Sequence, residues 1–348
     1  MPPAPDVLYT DEYYRRHHLP SLRSAREIVP LVLALVRPRS VVEVGCGIGT
    51  WLRVFQEHGI DDVHGMDGDW VDRKLLVIGE DCFAAVDLRR PLQVDRRFDL
   101  AVSMEVAEHL PGECAHTFVE ALTKLAPVIL FSAAIPCQGG VGHVNEQWPE
   151  YWVEHFAQHG YAVIDSIRKK IWRNARVEWY YAQNALMFAS GDFLARSPAL
   201  RRELEHTAIG QLSVVHPRKY LAAIADTQRL VSTAQDIAAL IPPGERFILV
   251  DHDVMRRELA LGRRAIPFLE RDGQYWGPPA DDMTAIREVD RLRQSGAGFI
   301  VFAWPALWWL EYYAGFREYL GSHFHCAVSN EHLVAFDLRR GVPGRGPR

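Results

Sequence analysis

Ser40-Val-Val-Glu-Val-Gly-Cys-Gly-Ile-Gly-Thr-Trp-Leu52 is the stretch whose reading decides the fold. It reads as a short buried strand over Ser40 to Val44, a glycine turn, and a helix that begins near Thr50. Gly45, Gly47 and Gly49 alternate with Cys46 and Ile48. Three positions without side chains therefore fall where the strand must turn and where a ligand can touch backbone. The helix N-terminus beyond them presents free N–H groups and the positive end of a dipole. A lone G-x-G-x-G also serves plain packing, so a ligand-binding reading needs support from other parts of the chain.

That support comes from a series of acids. Glu43 stands on the strand end, two residues before Gly45, where a carboxylate can accept from a ligand ammonium. Val63-His-Gly-Met-Asp67 reads as the next strand and ends in an acid 18 positions beyond Gly49. Nucleotide-binding α/β folds put an acid there because ribose hydroxyls need a bidentate acceptor. Phe83-Ala-Ala-Val-Asp87-Leu88 closes another apolar run in an acid, suited to an adenine amino group. Phe98-Asp-Leu-Ala-Val-Ser-Met-Glu-Val-Ala-Glu-His-Leu110 gives a fourth strand with an acidic, histidine-bearing exit.

Taken together, residues 20–190 or so resemble the class I S-adenosylmethionine-dependent methyltransferases. Their pattern is E/D-x-G-x-G-x-G, an acid after the second strand, D-L after the third, and F-D opening the fourth. The resemblance implies an α/β fold with a Rossmann-like, seven-stranded methyltransferase sheet whose last strand runs antiparallel. It implies S-adenosyl-L-methionine as cofactor, held by Glu43, Gly45, Gly47, Gly49, Asp67, Asp87 and Glu105. No metal is expected.

The length of 348 residues suggests two domains. A net charge of −5 lacks the excess of Lys and Arg that a broad nucleic-acid or anionic-membrane surface needs. Cys46, Cys82, Cys114, Cys137 and Cys326 are odd in number and scattered, which suits reduced thiols in a cytoplasmic protein. The N-terminus carries no basic-then-apolar signal pattern. Apolar runs such as Ile28 to Val36 fall short of the ~20 residues a membrane span requires, so no membrane insertion is expected.

Along the chain, residues 1–19, with Tyr9, Tyr13 and Tyr14, read either as a cover for the cofactor or as a surface arm. In methyltransferases of this type the segment before the first strand often closes over the cofactor. Ser21 to Val36 reads as a helix, Val128 to Phe131 as the fifth strand, and Tyr161 to Ile164 and Asn184 to Ala189 as the sixth and seventh. Residues 1–191 form the methyltransferase domain in this reading, and 192–243 a helical linker. The linker carries an apolar stripe of Tyr220, Ile224, Thr227, Val231, Ala234 and Ala238.

Pro242-Pro243-Gly244 breaks the helix and opens a smaller C-terminal α/β domain over 244–348. It reads as strands at Arg246–Val250 and Gly298–Phe302, a helix from Asp281 or Asp282 to Gln294, another over Pro305–Tyr319, and a closing hairpin. Its pattern, with G-P-P-A-D-D, G-A-G-F-I-V-F and A-L-W-W-L-E-Y-Y, resembles an accessory domain of bacterial glycan-assembly proteins.

In this fold an acceptor meets the donor at the carboxyl ends of the fourth and fifth strands. Glu105, Glu108 and His109 follow the fourth, and a glycine-rich loop bearing His143, Asn145 and Glu146 follows the fifth. An imidazole with an ordinary pKa of ~6.5 suits general-base work. His143, His109 and Glu146 are therefore the expected catalytic groups. The plainer alternative is that Asn145 or Glu146 caps the helix opening at Pro149 while His143 packs. Asp251-His252-Asp253 invites a metal reading, but alternating residues at a strand end point to opposite faces. The expected reaction is O-methylation of a sugar or glycosylated metabolite, with a small-molecule or glycan acceptor and no nucleic acid. N-methylation of an amine or amino sugar, and a catalytically idle binding protein, are the competing readings. The oligomeric state is left open.

Overall fold

The structure, a computed structural model, describes residues 10–92 and 95–340. Tyr9 of the expected arm lies outside them. The chain divides into two compact units, one up to Tyr220 and one from Leu221.

In the first unit the helix before the first strand is longer than the sequence suggests. α1 runs Asp11–Val36, so residues read as an arm are helical from Asp11 onward. Its start is fixed by Thr10, whose side chain accepts the Tyr13 N–H, and by Asp11 and Glu12 near the positive helix end. It buries Ile28, Val29 and Val32 despite carrying Pro20 and Pro30. Then come β1 (Ser40–Val44), α2 (Thr50–Glu57), β2 (Asp62–Asp67), β3 (Phe83–Ala85), β4 (Leu100–Met104), α3 (Ala115–Leu125) and β5 (Val128–Ser132). The unit continues with α4 (Pro149–Ala157), β6 (Tyr161–Ile164), α5 (Arg168–Ile171), α6 (Trp179–Asn184), β7 (Leu186–Ser190), α7 (Gly191–Arg196) and α8 (Pro198–Glu205).

The seven strands lie in the order β3-β2-β1-β4-β5-β7-β6, parallel except for β7, which runs antiparallel to β5 and β6. β1, β4 and β5 are buried along their whole length, as strands covered on both faces must be. Their side chains feed two cores. Val41, Leu100, Val102 and Leu130 join Leu52 and Phe55 of α2 on one face. Val42, Val44, Ile129 and Phe131 join Phe156 of α4 on the other. From β1 the chain builds outward through β2 and β3, then returns to β4 on the other side of β1. The carboxyl ends of β1 and β4 therefore diverge and leave a crevice for a ligand.

The next helix is α9 (Pro217–Leu240). The apolar stripe expected along it is a packing face only in part: Tyr220 is 59% exposed and Val231 49%, while Ala234 is half-buried against the core. Thr233 and Ile237 are the buried positions, and Ile237, with Ile241, packs against Phe247, Leu249 and Val301. Among the described residues, the helix packs on the second unit's sheet through its carboxyl half.

The second unit has β8 (Arg246–Val250), α10 (Arg256–Ala260), β9 (Arg264–Pro267), the short pair β10 (Glu270–Arg271) and β11 (Gln274–Tyr275), α11 (Asp282–Gln294), β12 (Phe299–Ala303), α12 (Trp309–Tyr312), α13 (Ala314–His323), β13 (His325–Ser329) and β14 (Leu333–Asp337). The main sheet has the order β13-β14-β12-β8-β9. β9 is a strand beyond those that the sequence suggests for this domain. The single helix expected over Pro305–Tyr319 is broken at Tyr313, whose hydroxyl donates to the Pro279 carbonyl at 2.7 Å. Asp282 then accepts the Phe316 N–H at 2.9 Å and caps the restarted helix. Among the described residues no helix is long and apolar enough to cross a membrane.

Candidate active site

The glycine turn is shaped by what leans on it. Gly45, Gly47 and Gly49 all have positive φ, in the region L side chains rarely adopt. A Cβ on Gly45 would stand 2.4 Å from Cγ2 of Val106, in the loop after β4, and one on Gly47 would stand 3.2 Å from the Tyr14 ring. The turn is thus covered by α1 and abutted by the β4 exit. His18 Nδ1 lies 3.0 Å from the Thr50 hydroxyl and ties α1 to the first residue of α2.

Asp67 braces the same turn from β2. Its carboxylate accepts from the Gly47 N–H at 2.6 Å and from the Gly68 N–H at 2.6 Å. Burial raises its pKa, and these two N–H groups oppose the rise. Glu43 is buried on β1 with Oε2 unpartnered among the described residues. Burial first and the Asp67 charge second hold its pKa well above the usual carboxylate range. Trp70 lies against Gly68, where a Cβ would meet its ring at 2.2 Å. Asp87 sits farther out and partly exposed, forked onto Arg89 through contacts of 2.8 and 3.0 Å. A ligand amino group at Asp87 would have to compete with that pair.

The fourth and fifth strands deliver the other groups. Glu105 has φ 55, a strained setting for a residue with a Cβ and a mark of functional loops. Its N–H donates to the Ser132 carbonyl and hydroxyl, each at 3.0 Å. Its carboxylate accepts from Gln138 Nε2 at 2.8 Å and from Asn184 Nδ2 at 3.1 Å. Burial still raises its pKa. This amide network, completed by Gln183 donating to Gln138 Oε1 at 3.1 Å, is a part of the site that sequence reasoning missed. The signal was present: Gln183-Asn184 is a polar pair in a buried run, and buried amides need partners.

The long loop after β5 is stitched to the β4 exit by backbone. The N–H groups of Val144 and Asn145 donate to the Glu108 carbonyl at 2.8 and 3.0 Å. That pairing brings His143 onto His109, edge to face, with ring centroids 4.8 Å apart and an interplanar angle of 88°. His143 Nδ1 lies 2.8 Å from Glu146 Oε1, which also accepts the Gly139 N–H at 2.7 Å. Glu146 therefore orients the imidazole. Neither it nor Asn145 caps α4, whose N-cap is Trp148 without a side-chain bond. Burial and the neighbouring His143 lower the His109 pKa to about 4, against a hydrogen bond to the Gly142 backbone. Glu108 is fully buried, and neither of its carboxylate oxygens has a partner in hydrogen-bonding geometry among the described residues. Burial and Glu105 push its pKa well up. Burial first, then the charges of Glu108 and Asp67, raise the pKa of Tyr13 on α1.

Other candidates resolve as structure. A cavity of about 630 Å³ is lined by Arg168, Lys169, Lys170 and Trp172, and these three cations are engaged: Arg168 forks onto Asp165, Lys169 donates to the His206 carbonyl and Lys170 faces Glu203. In the second unit Asp251 accepts the N–H groups of Asp253 and Met255, which makes it a turn cap. His252 stacks on Trp308 at 5.8 Å.

Residues 14–175 match the family described as a methyltransferase domain. No curated protein sequence matches the chain. Among solved structures, the chain is similar to an O-methyltransferase family protein from Burkholderia thailandensis, at 15% identity and a TM-score of 0.37, over 52% of this chain and 58% of that one. It is similar to the magnesium protoporphyrin IX methyltransferase of Synechocystis with bound S-adenosylhomocysteine, also at 15% and 0.37, over 51% and 88%. A methyltransferase domain of a bacterial Hen1 gives 16% and 0.35, over 48% and 96%. Likenesses of this size carry no acceptor with them.

The residues present fit the cofactor that the family uses. A glycine cradle that a Cβ would fill, a buried Glu43 oxygen without a partner among the described residues, and an acid bonded to the turn stand side by side. With its seven-stranded sheet, its glycine turn and the family model matched over residues 14–175, the first unit carries a methyltransferase domain with the class I S-adenosylmethionine-dependent fold.

Proposed function

We propose that the enzyme methylates a hydroxyl of a small molecule or glycan, a sugar or glycosylated metabolite, in the cytoplasm. The observation that carries this reading is the meeting of Glu108, His109 and His143 beside the donor turn, where a hydroxyl can be held and stripped of its proton. When bound, S-adenosylmethionine supplies the methyl group, whose bond to sulfur breaks as a bond to the acceptor oxygen forms. Glu43 and Asp67 receive the donor's polar groups, and the backbone of Gly45 to Gly49 sets its depth. Tyr13 and Tyr14 of α1 exclude water from the crevice. His143, its ring fixed by Glu146, stands where the hydroxyl proton must leave.

The sugar class draws on the glycan-assembly look of the second unit and on its exposed aromatics Trp276, Trp308 and Tyr312. In this reading that unit, roughly residues 244–348, positions the acceptor. An amine acceptor would need no such proton-accepting cluster, because it reacts as the neutral base. The test is to incubate the full chain with methyl-labelled donor and host glycan and metabolite fractions, then locate the label by mass spectrometry. Label on hydroxyl-bearing species supports the reading. Label confined to amines overturns it.

A further inference from the structure

We propose that Glu108, His109 and His143 form a binding site for one divalent first-row transition-metal ion, which takes the acceptor hydroxyl at an open position. The three side chains each offer a ligand atom, and those atoms all lie within 4.8 Å of one another. Metal–ligand distances of ~2.0–2.2 Å require separations below about 4.4 Å, so small side-chain rotations close the set. Two imidazoles and one carboxylate suit such an ion better than magnesium or calcium, which prefer oxygen. Three protein ligands with a free position is the arrangement of catalytic rather than structural sites.

An independent observation points to a ligand. The Glu108 side chain is 0% exposed, yet both its oxygens lack a partner in hydrogen-bonding geometry among the described residues. The backbone N–H groups of Glu108 and Ala134 lie near enough to oppose the rise in its pKa but close no hydrogen bond, and a buried carboxylate so weakly served is costly, which an ion would offset. The histidines also carry the outer support that metal ligands use: His143 has its Nδ1 on Glu146, and His109 bonds the Gly142 backbone. Glu105 is not counted as a ligand, because Gln138 and Asn184 occupy its carboxylate.

The inference deepens the O-methylation reading and rests on it only for its chemical use. A coordinated hydroxyl is acidified, as water on zinc falls to a pKa of ~7. It gives its proton to solvent, and the resulting oxygen anion attacks the methyl carbon while sulfur keeps the electron pair. With the ion bound, coordination replaces the His143 base of the O-methylation reading: His109 and His143 hold the ion, solvent takes the proton, and loss of His143 removes either route.

The experiment uses the full, tag-free chain stripped with chelator. Mn²⁺ is titrated and followed by electron paramagnetic resonance, and Zn²⁺ by calorimetry. One ion per chain is expected, with electron spin echo modulation from two histidine nitrogens on bound Mn²⁺. His109→Ala and His143→Ala should abolish the stoichiometric site, Glu146→Gln should weaken it ~10–100-fold, and His58→Ala should leave it unchanged. Absence of nitrogen coupling in the wild type overturns the site without recourse to any variant, as does retention of the ion by both histidine variants. S-adenosylmethionine binding is measured on the same samples. Undiminished hydroxyl methylation by the ion-free enzyme removes the metal and leaves the O-methylation reading standing. Ion binding with label found only on amines keeps the site and removes that reading.

Discussion

Val106 packs straight onto Gly45: a Cβ on that glycine would lie 2.4 Å from Cγ2 and 2.6 Å from Cγ1 of the valine. The contact joins the donor turn after β1 to the loop that carries Glu105, Glu108 and His109 after β4. It also explains why the first glycine of the turn is a glycine, beyond its φ of 82°. Gly45→Ala should therefore both strain the backbone and displace Val106. We expect a loss of about 2–4 kcal/mol in urea unfolding, with weakened donor binding. Wild-type stability and affinity in this variant would mean that the two loops are not coupled.

Asp67 holds the turn from the other side through the N–H groups of Gly47 and Gly68. Hydrogen bonds to a charged group contribute about 1.5–3 kcal/mol. Asp67→Ala should weaken S-adenosylmethionine binding roughly ten- to hundredfold by calorimetry, and Gly47→Val should abolish it by driving a side chain into Tyr14. Unchanged affinity in both variants would move the donor site elsewhere.

The sequence announced this half of the site well. Strands over Ser40–Val44 and Arg246–Val250 fall where apolar runs ended by turn residues put them. Short buried strands leave little freedom in where they begin and stop. The acceptor half was legible only as a set of types. Glu108, His109 and His143 could be named, but their meeting depends on Val144 and Asn145 pairing with the Glu108 carbonyl. Such backbone pairing between distant loops leaves no periodicity. The same holds for Asn184, read as the start of a strand and found at the end of α6, donating to Glu105.

Glu43 sets a pH dependence whose sign can be worked out. Its pKa in the folded protein lies well above the unfolded value of 4.5, so above pH 4.5 the unfolded chain releases a proton that the folded one keeps. Its contribution to stability is full below 4.5 and is lost as pH rises through the folded pKa. Glu43→Gln should therefore melt higher than wild type at mildly alkaline pH, and the gap should close as pH falls toward 4.5. A gap that widens on acidification would contradict the raised pKa.

The division at Tyr220 also makes a prediction. Ile237 and Ile241 belong to the core formed with Phe247 and Leu249, so the later part of α9 goes with the second unit. A chain ending at Tyr220 should stay folded by circular dichroism and bind S-adenosylmethionine, yet lose methylation of the full-sized acceptor. Full turnover by that fragment would leave the second unit without a part in the reaction. A fragment that unfolds would make the two units one folding unit.

The most direct measurement of the central claim is nuclear magnetic resonance of the product formed with methyl-¹³C donor and the labelled acceptor fraction. The carbon shift separates a methyl on oxygen from one on nitrogen. The account predicts an oxygen-bound methyl, formed by wild type and slowed ~10²–10⁴-fold in His143→Ala, with donor affinity nearly unchanged. A nitrogen-bound methyl, or oxygen methylation that His143→Ala and Glu108→Gln both sustain at the wild-type rate, would contradict it.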